Sequence, residues 1–220
     1  MNRDTKRNTK DGASNDVAQG LLFVVAAPSG AGKTSLVNAL LKAEPSLQLS
    51  ISHTTRDIRP GETDGTEYHF TERSVFESMI EKGEFLEHAD VFGNLYGTNR
   101  HSLKVQRDSG QDVVLEIDWQ GAAQVRRAFP DTLSIFILPP SRRELLARLE
   151  NRGQDSAEVI ARRTAQATTE LAQHGDFDYL VINDNFADAS QDLTSIVRAA
   201  RCRKDSVSKR HPALIAELLE

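Results

Sequence analysis

Four short runs, LLFVVAA (21–27), DVVLEID (112–118), LSIFIL (133–138) and DYLVIN (178–183), are apolar at nearly every position. Such runs predict strands covered on both faces, as in a parallel sheet. Between and after them, apolar residues recur at helical spacing in KTSLVNALLKA, WQGAAQVRRAF, SRRELLARLEN, AEVIARRTAQATTELAQH and FADASQDLTSIVRAARCRK. The alternation predicts an α/β fold with helices on both faces of the sheet. Residues 50–104 break the rhythm. They hold a turn signal RPGETDG, a short strand TEYHF, a helix ERSVFESMIEK, and EFLEHADVFGNLYGT, which reads as strands around a Gly93-Asn94 turn. A small mixed α/β subdomain inserted into the parallel core accounts for this interval.

At 220 residues and 39% hydrophobic content, the chain buries a real core as one unit with insertions. Its formal net charge of -5 gives no footprint for nucleic acid, so any anion binding must be local. Most cations are Arg, whose fork suits bidentate contact with phosphate oxygens. Cys202 is the only cysteine. This excludes an intrachain disulfide or a cysteine metal cluster and fits a reducing cytosol, with Cys202 expected as a partly packed helix thiol. No run approaches the roughly 20 apolar residues of a spanning helix, so no membrane partner is expected. Residues 1–19 lack an apolar signal core and mix Asp4, Asp11 and Asp16 with basic residues, which predicts a solvated, disordered tail and a cytoplasmic protein. The C-terminal PALIAELLE is expected to pack on the core.

The candidate chemistry begins where the first strand ends. APSGAGKT (27–34) follows the phosphate-loop pattern, with Ala27 in place of the first glycine. Gly30 and Gly32 let backbone N–H groups turn toward an anion at the start of a helix. Lys33 reaches the outer phosphates, and the Thr34 hydroxyl is a ligand for Mg²⁺. The phosphate contacts are expected from Ala27, Pro28, Ser29, Gly30, Ala31, Gly32, Lys33, Thr34 and Ser35. Ala27 is compatible provided its φ is negative. Glu116 and Asp118 end a strand on one face. Either is placed to hold the metal's water shell, the other a substrate group, and Asp118 reads equally as the cap of the next helix.

The acceptor side lies in the inserted interval. Arg56 and Arg59 stand three apart in an extended loop, and with the Tyr68 hydroxyl they suit a phosphomonoester. Nearby stand Ser52, Glu87, Tyr96, Thr98 and Asp118. Guanine offers N1–H and N2–H₂ as donors and O6 as an acceptor, which carboxylates and a hydroxyl read naturally, whereas adenine would face carboxylates with acceptors.

The segments APSGAGKTS, SHTTRDIRPGETDGTEY, FLEHADVFGNLYGT, LEIDWQG and ENRGQDSAEVIARR resemble those of the guanylate kinase family, bacterial type, over about residues 20–205. The resemblance implies a P-loop core with a five-stranded parallel sheet (20–49, 105–138 and 175–220), a GMP-binding subdomain (50–104) and a lid (139–174). It implies transfer of a phosphoryl group from ATP to GMP, with dGMP also accepted, in purine nucleotide metabolism, with Mg²⁺ as cofactor. The family's GMP-phosphate contacts fall on Arg56, Arg59, Tyr68 and Tyr96, and its guanine contacts on Ser52, Glu87, Thr98 and Asp118. Bacterial members also carry alanine at the place of Ala27, Thr98 stands for a frequent serine, and Glu116 for a common aspartate. Lid arginines of similar kinases match Arg152 and Arg163, which join Lys33 and Arg56 as the catalytic set. Arg142, Arg143 and Arg162 read as a solvated face. Asn183 and Asp184 match the segment near the donor adenine. Whether the chain is a monomer or a homo-oligomer is not legible.

Three other readings compete. Scaffold modules with this fold typically lack a working phosphate loop and lid arginines, which this chain has. A kinase for a sugar phosphate has no guanine to read with Ser52, Glu87, Thr98 and Asp118. A GTPase switch needs an N-K-x-D-type loop, and the sequence offers only NDN at 183–185. An acceptor phosphate dianion needs no general base, so no histidine is assigned, and His53 and His88 read as packing or surface.

Overall fold

The computed structural model describes residues 18–150, 164–165 and 167–220, with Glu150 described in its backbone only. The expected tail, apart from Ala18 and Gln19, and the arginines Arg152, Arg162 and Arg163 lie outside the described residues.

The four apolar runs form strands and a fifth joins them, but the run DYLVIN, expected to be covered on both faces, is an edge strand on which Tyr179, Leu180 and Ile182 are exposed. β1 (Leu22–Ala26), β2 (Leu47–Leu49), β7 (Asp112–Glu116), β8 (Leu133–Leu138) and β9 (Tyr179–Ile182) make one sheet in the order β2-β7-β1-β8-β9, parallel throughout. Alternation splits β1 between two cores. Phe23 and Val25 pack with Leu36, Val37, Leu193 and Val197 on one face, while Leu22 and Val24 meet Leu103, Leu115 and Val125 on the other. Phe23 is fully buried, worth about 1.5–3 kcal/mol relative to an exposed ring.

α1 (Lys33–Ala43), α4 (Trp119–Ala128), α5 (Arg142–Glu150) and the helix Phe186–Arg201 match the helical patterns. The last starts where Asn185 accepts a hydrogen bond of 2.8 Å from the Ala187 amide. α3 (Arg100–Asp108) is a helix the periodicity does not predict, because only Leu103 and Arg107 are buried on it. Asn99 caps it, accepting from Ser102 N at 3.0 Å. Among the described helices, none is long and apolar enough to cross a membrane.

A second sheet, order β4-β3-β6-β5, lies within the interval that breaks the rhythm. β3 (His53–Thr54) pairs parallel with β4 (His69–Phe70) and antiparallel with β6 (Asn94–Asn99), which pairs antiparallel with β5 (Phe85–Val91). α2 (Arg73–Glu81) covers it through Phe76, stacked on Phe85 with centroids 4.4 Å apart. The hairpin turn is Phe92-Gly93 rather than Gly93-Asn94. Val91 pairs with Asn94, and both turn residues have positive φ, 57° and 85°, as a two-residue turn with matching twist requires.

Two further expectations are corrected. Cys202 is exposed at the end of the helix Phe186–Arg201 rather than partly packed. In PALIAELLE, the helix Pro212–Glu217 buries no residue, and Leu218 and Leu219 are exposed, so the segment does not pack on the core as expected.

Candidate active site

β1 is the central strand, with β7 on one side and β8 on the other; the chain leaves it for β2 on the β7 side and later crosses from β7 to β8 on the opposite side. In open α/β sheets a ligand crevice forms beyond the carboxyl ends of strands at such a point. The turn after β1 is where the glycine-rich loop lies. Gly30 and Gly32 both have φ of 90°, a conformation side chains resist, and α1 begins immediately after Gly32 with no side-chain cap. Its first amides therefore remain available to an anion. Phe92 is the only non-glycine residue of positive φ among the described residues, so the condition on Ala27 is met.

Side chains around the loop already have partners. Lys33 Nζ donates to Ile117 O at 2.8 Å, and Thr34 Oγ1 to Glu116 Oε1 at 2.5 Å. The Thr34–Glu116 contact brings together two hard oxygen donors, a set that fits Mg²⁺ with part of its water shell. Behind the loop, Asn183 is buried and donates Nδ2–H to Ala31 O at 2.8 Å, while Asp184 is exposed. Asn183 thus braces the loop from beneath. Ser35 is exposed on the first turn of α1.

Between this edge and the second sheet lies a cavity of about 190 Å³. Lys33, Ser52, Tyr68, Glu87, Tyr96, Glu116 and Asp118, all singled out from sequence, line it together. A larger hollow of about 560 Å³, with Arg107 and Asp131 in its wall, sits instead at the amino ends of β1 and β8, away from the loop.

Glu87 dominates the electrostatics of the smaller cavity. It is 2% exposed and accepts from Thr98 Oγ1 at 2.6 Å. Burial pushes its pKa up to about 7, with Asp118 adding to the rise and the Thr98 hydrogen bond opposing it. Thr98 is fully buried, so it orients Glu87 from behind. Gly121 keeps space for that carboxylate, because a Cβ there would come 2.4 Å from Glu87 Oε2. Asp118 caps α4, accepting from Gly121 N at 2.8 Å, and also faces the cavity. Both roles foreseen for it are thus compatible.

The tyrosines stand edge to face with centroids 5.7 Å apart. Burial, with Glu116 nearby, pushes the Tyr68 hydroxyl up to about 12, so it stays a neutral donor. Arg56 lies over the rings of Tyr68 and Phe70, at 5.5 and 5.6 Å. Its Nη2 donates to both oxygens of Glu62, at 2.8 and 3.0 Å, and the Arg59 amide donates to Glu62 Oε2 at 2.8 Å. The Arg59 side chain is exposed, as are Arg142 and Arg143. The His53 ring packs tilted at 41° against that of His69, centroids 4.8 Å apart, and His88 is exposed, which agrees with packing and surface roles.

Sequence reasoning passed over two carboxylates. Glu62 belongs to the RPGETDG turn, and only its spacing of three residues from Arg59 marks it. Glu170, on the helical stretch 167–171, accepts from Ser29 N at 3.0 Å. Nothing in its sequence neighbourhood marks it, since a lone glutamate on a helix reads as solvated.

Comparison with known proteins agrees with this geometry. The profile of the guanylate kinase family matches residues 19–200. A guanylate kinase of Thiobacillus denitrificans (strain ATCC 25259 / T1) is 56% identical over 198 residues, 90% of this chain and 95% of that protein. A guanylate kinase of Escherichia coli (strain K12) is 53% identical over 205 residues, 92% of this chain and 99% of that protein. The crystal structure of guanylate kinase from Anaplasma phagocytophilum superposes with a TM-score of 0.72 at 31% identity, covering 89% of this chain and 97% of that one.

Proposed function

The chain belongs to the guanylate kinase family and catalyses ATP-dependent phosphorylation of GMP, and from that premise we propose which of its residues do the work. The carrying observation is the cavity that unites Lys33 and Glu116 of the donor side with Ser52, Tyr68, Glu87, Tyr96 and Asp118 of the acceptor side. In this reading, residues 27–35 hold the donor phosphates, and Asn183 and Asp184 lie on the adenine side. Glu87 and Asp118 accept from N1–H and N2–H₂ of guanine. Ser52 serves O6, and Thr98 acts through Glu87. Arg56, Arg59, Tyr68 and Tyr96 hold the acceptor phosphate.

The reaction forms a bond between a GMP phosphate oxygen and the γ-phosphorus of ATP and breaks the bond from that phosphorus to the β,γ-bridging oxygen, releasing ADP. The attacking oxygen belongs to a phosphate dianion and carries no proton to remove. Lys33 and Arg56, joined by Arg152 and Arg163 from the lid, neutralise charge on the transferring group. Lys33 leaves its carbonyl partner on Ile117 to do so. Thr34 and Glu116, or Asp118 through water, would hold Mg²⁺, which would supply neutralisation of phosphate charge when bound. The second sheet with its loops (50–104) forms the GMP-binding subdomain and residues 139–174 the lid; their closure over both substrates excludes water as a competing acceptor.

The recognition assigned here lies on the base and the phosphate, and dGMP carries both, so the proposal extends to dGMP. A cytoplasmic location and a place in purine nucleotide metabolism belong to the same reading, supported by the bacterial guanylate kinases the chain is similar to. The test is a coupled ADP assay with ATP and Mg²⁺ against GMP, dGMP, AMP, CMP, UMP and ribose phosphates. Turnover is expected only with the guanine nucleotides, and equal turnover with AMP would overturn the guanine assignment. Lys33→Ala is expected to lower kcat by about 100-fold or more without unfolding the chain.

A further inference from the structure

The donor loop is braced from outside by the helical stretch 167–171. Ser29 N donates to Glu170 Oε2 at 3.0 Å. Next to it, Gly30 lies so close to α5 that a Cβ would come 3.2 Å from Leu145 Cδ1 and Leu149 Cδ2. Leu145 and Leu149 form one apolar cluster with Ala167 and Leu171. Arg142 Nη2 reaches Thr168 Oγ1 at 2.9 Å, which closes the same two stretches together at the surface. The loop therefore touches a packed pair of helical segments through one apolar contact and one charged hydrogen bond.

That carboxylate stands in an expensive place. Burial disfavours its charge, and Asp118 opposes it further, while the Ser29 amide and Lys33 favour it. It also borders a hollow of about 170 Å³ shared with Val91, Asp118 and Trp119, between the β5–β6 hairpin and the core. A negative group beside a triphosphate site repels the donor, so an acceptor placed here must supply something else. The loop backbone explains what is supplied. With φ of 90° at Gly30 and Gly32, the intervening peptides have little steric restraint against rotation. The Ala31 end is held by Asn183 Nδ2 on its carbonyl and by its own amide on Pro28 O at 3.1 Å. Glu170 holds the other end.

We propose that Glu170 is a positioning residue for the donor: its oxygen on the Ser29 amide fixes the phosphate-holding loop in its binding conformation. The inference rests on the assignment of residues 27–35 to the donor phosphates. What the loop requires of residue 170 is the acceptor atom rather than the charge. Glu170→Ala then loses the brace, whereas Glu170→Gln keeps a carbonyl acceptor and sheds the repulsion.

The experiment measures kcat, both KM values and Tm for the full chain and the two variants. Glu170→Ala is expected to raise KM for ATP about tenfold, with KM for GMP within about twofold and Tm within about 2 °C. Glu170→Gln is expected to keep KM for ATP at or below about three times that of the unaltered chain. An unchanged KM for ATP in Glu170→Ala overturns the proposal. So does a Gln variant as impaired as the Ala variant, or a joint rise of both KM values with a fall in Tm. Lys33→Ala run alongside separates the two levels. If it retains turnover, the donor-site assignment fails; if it loses turnover while Glu170→Ala binds ATP normally, only the role of Glu170 fails.

Discussion

Thr98 donates its hydroxyl hydrogen to Glu87 across 2.6 Å, and both side chains are closed to solvent. The hydrogen bond holds one carboxylate oxygen and leaves the other for a ligand in the cavity. Thr98→Val keeps the shape and removes the donor, leaving a buried carboxylate less well satisfied. KM for GMP should rise by about tenfold, with KM for ATP unchanged in steady-state kinetics.

The raised pKa of Glu87, about 7, gives GMP affinity a definite pH dependence. Guanine donors need the carboxylate form, so binding weakens as pH falls through 7. At pH 5.5 the loss relative to pH 8 should be roughly 30-fold from this group alone. The GMP phosphate itself titrates near pH 6, so Glu87→Gln supplies the control: calorimetry should show its profile flattened to the phosphate contribution. The unliganded chain follows the opposite sign. A carboxyl whose folded pKa lies above its unfolded value of 4.5 binds more protons when folded, so stability falls as pH rises from about 4.5 to 7. The size is about 3 kcal/mol at most, and Glu87→Gln should abolish the slope in urea titrations.

Gly121 is required by a neighbour rather than by its own backbone. A Cβ placed 2.4 Å from Glu87 Oε2 forces that carboxylate to move or turn. Gly121→Ala is expected to raise KM for GMP by about tenfold or more while ATP binding stays as it was. Equal effects on both substrates would mean that the helix, not the carboxylate, had shifted.

A separate charge network holds the C-terminal helices. Arg201 bridges Asp112, at 2.8 Å, and Glu44, while Arg198 reaches Glu44 at 2.6 Å and Arg210 reaches Asp112. Both carboxylates are buried. Arg201→Met should cost about 2–4 kcal/mol in denaturant unfolding, somewhat below a fully orphaned pair because Arg198 and Arg210 remain. Burial pushes the Glu44 carboxyl up, but the two arginines more than offset it and hold its pKa below 4.5. That stabilisation is complete above pH 4.5 and is lost as pH falls through the lowered folded value, so the deficit of the variant should shrink in acid. Activity with saturating substrates should be unaffected.

How far the sequence reveals this arrangement depends on the length over which each signal repeats. The apolar runs of β1, β7 and β8 and the pattern of α1 are long and unambiguous. β2 is a three-residue edge strand, LQL, whose single alternation is too short to show a period. α3 carries so few apolar positions that its pattern is lost among charges. The hairpin turn is displaced by one residue because Phe92 adopts a positive φ that its residue type disfavours. Among site residues, sequence supplies Thr98 as a hydroxyl but not its direction, which the pairing of β5 with β6 decides. Glu170 carries no motif at all, since Ser29 becomes its neighbour only when the chain folds, whereas Glu62 stands close to Arg56 and Arg59 in sequence and shows its pairing only through the conformation of the turn.

The Arg56–Glu62 pair has one further consequence. Glu62 gathers the guanidinium of Arg56 and the amide of Arg59 onto a single carboxylate, so the loop read as a phosphate clamp begins its cycle already carrying an anion. Arrival of the acceptor phosphate is then a replacement or a sharing of anions, not the filling of a bare cationic hole. The arginine is kept folded over Tyr68 and Phe70 between turnovers, and part of the entropy of ordering it has been lost before the nucleotide arrives.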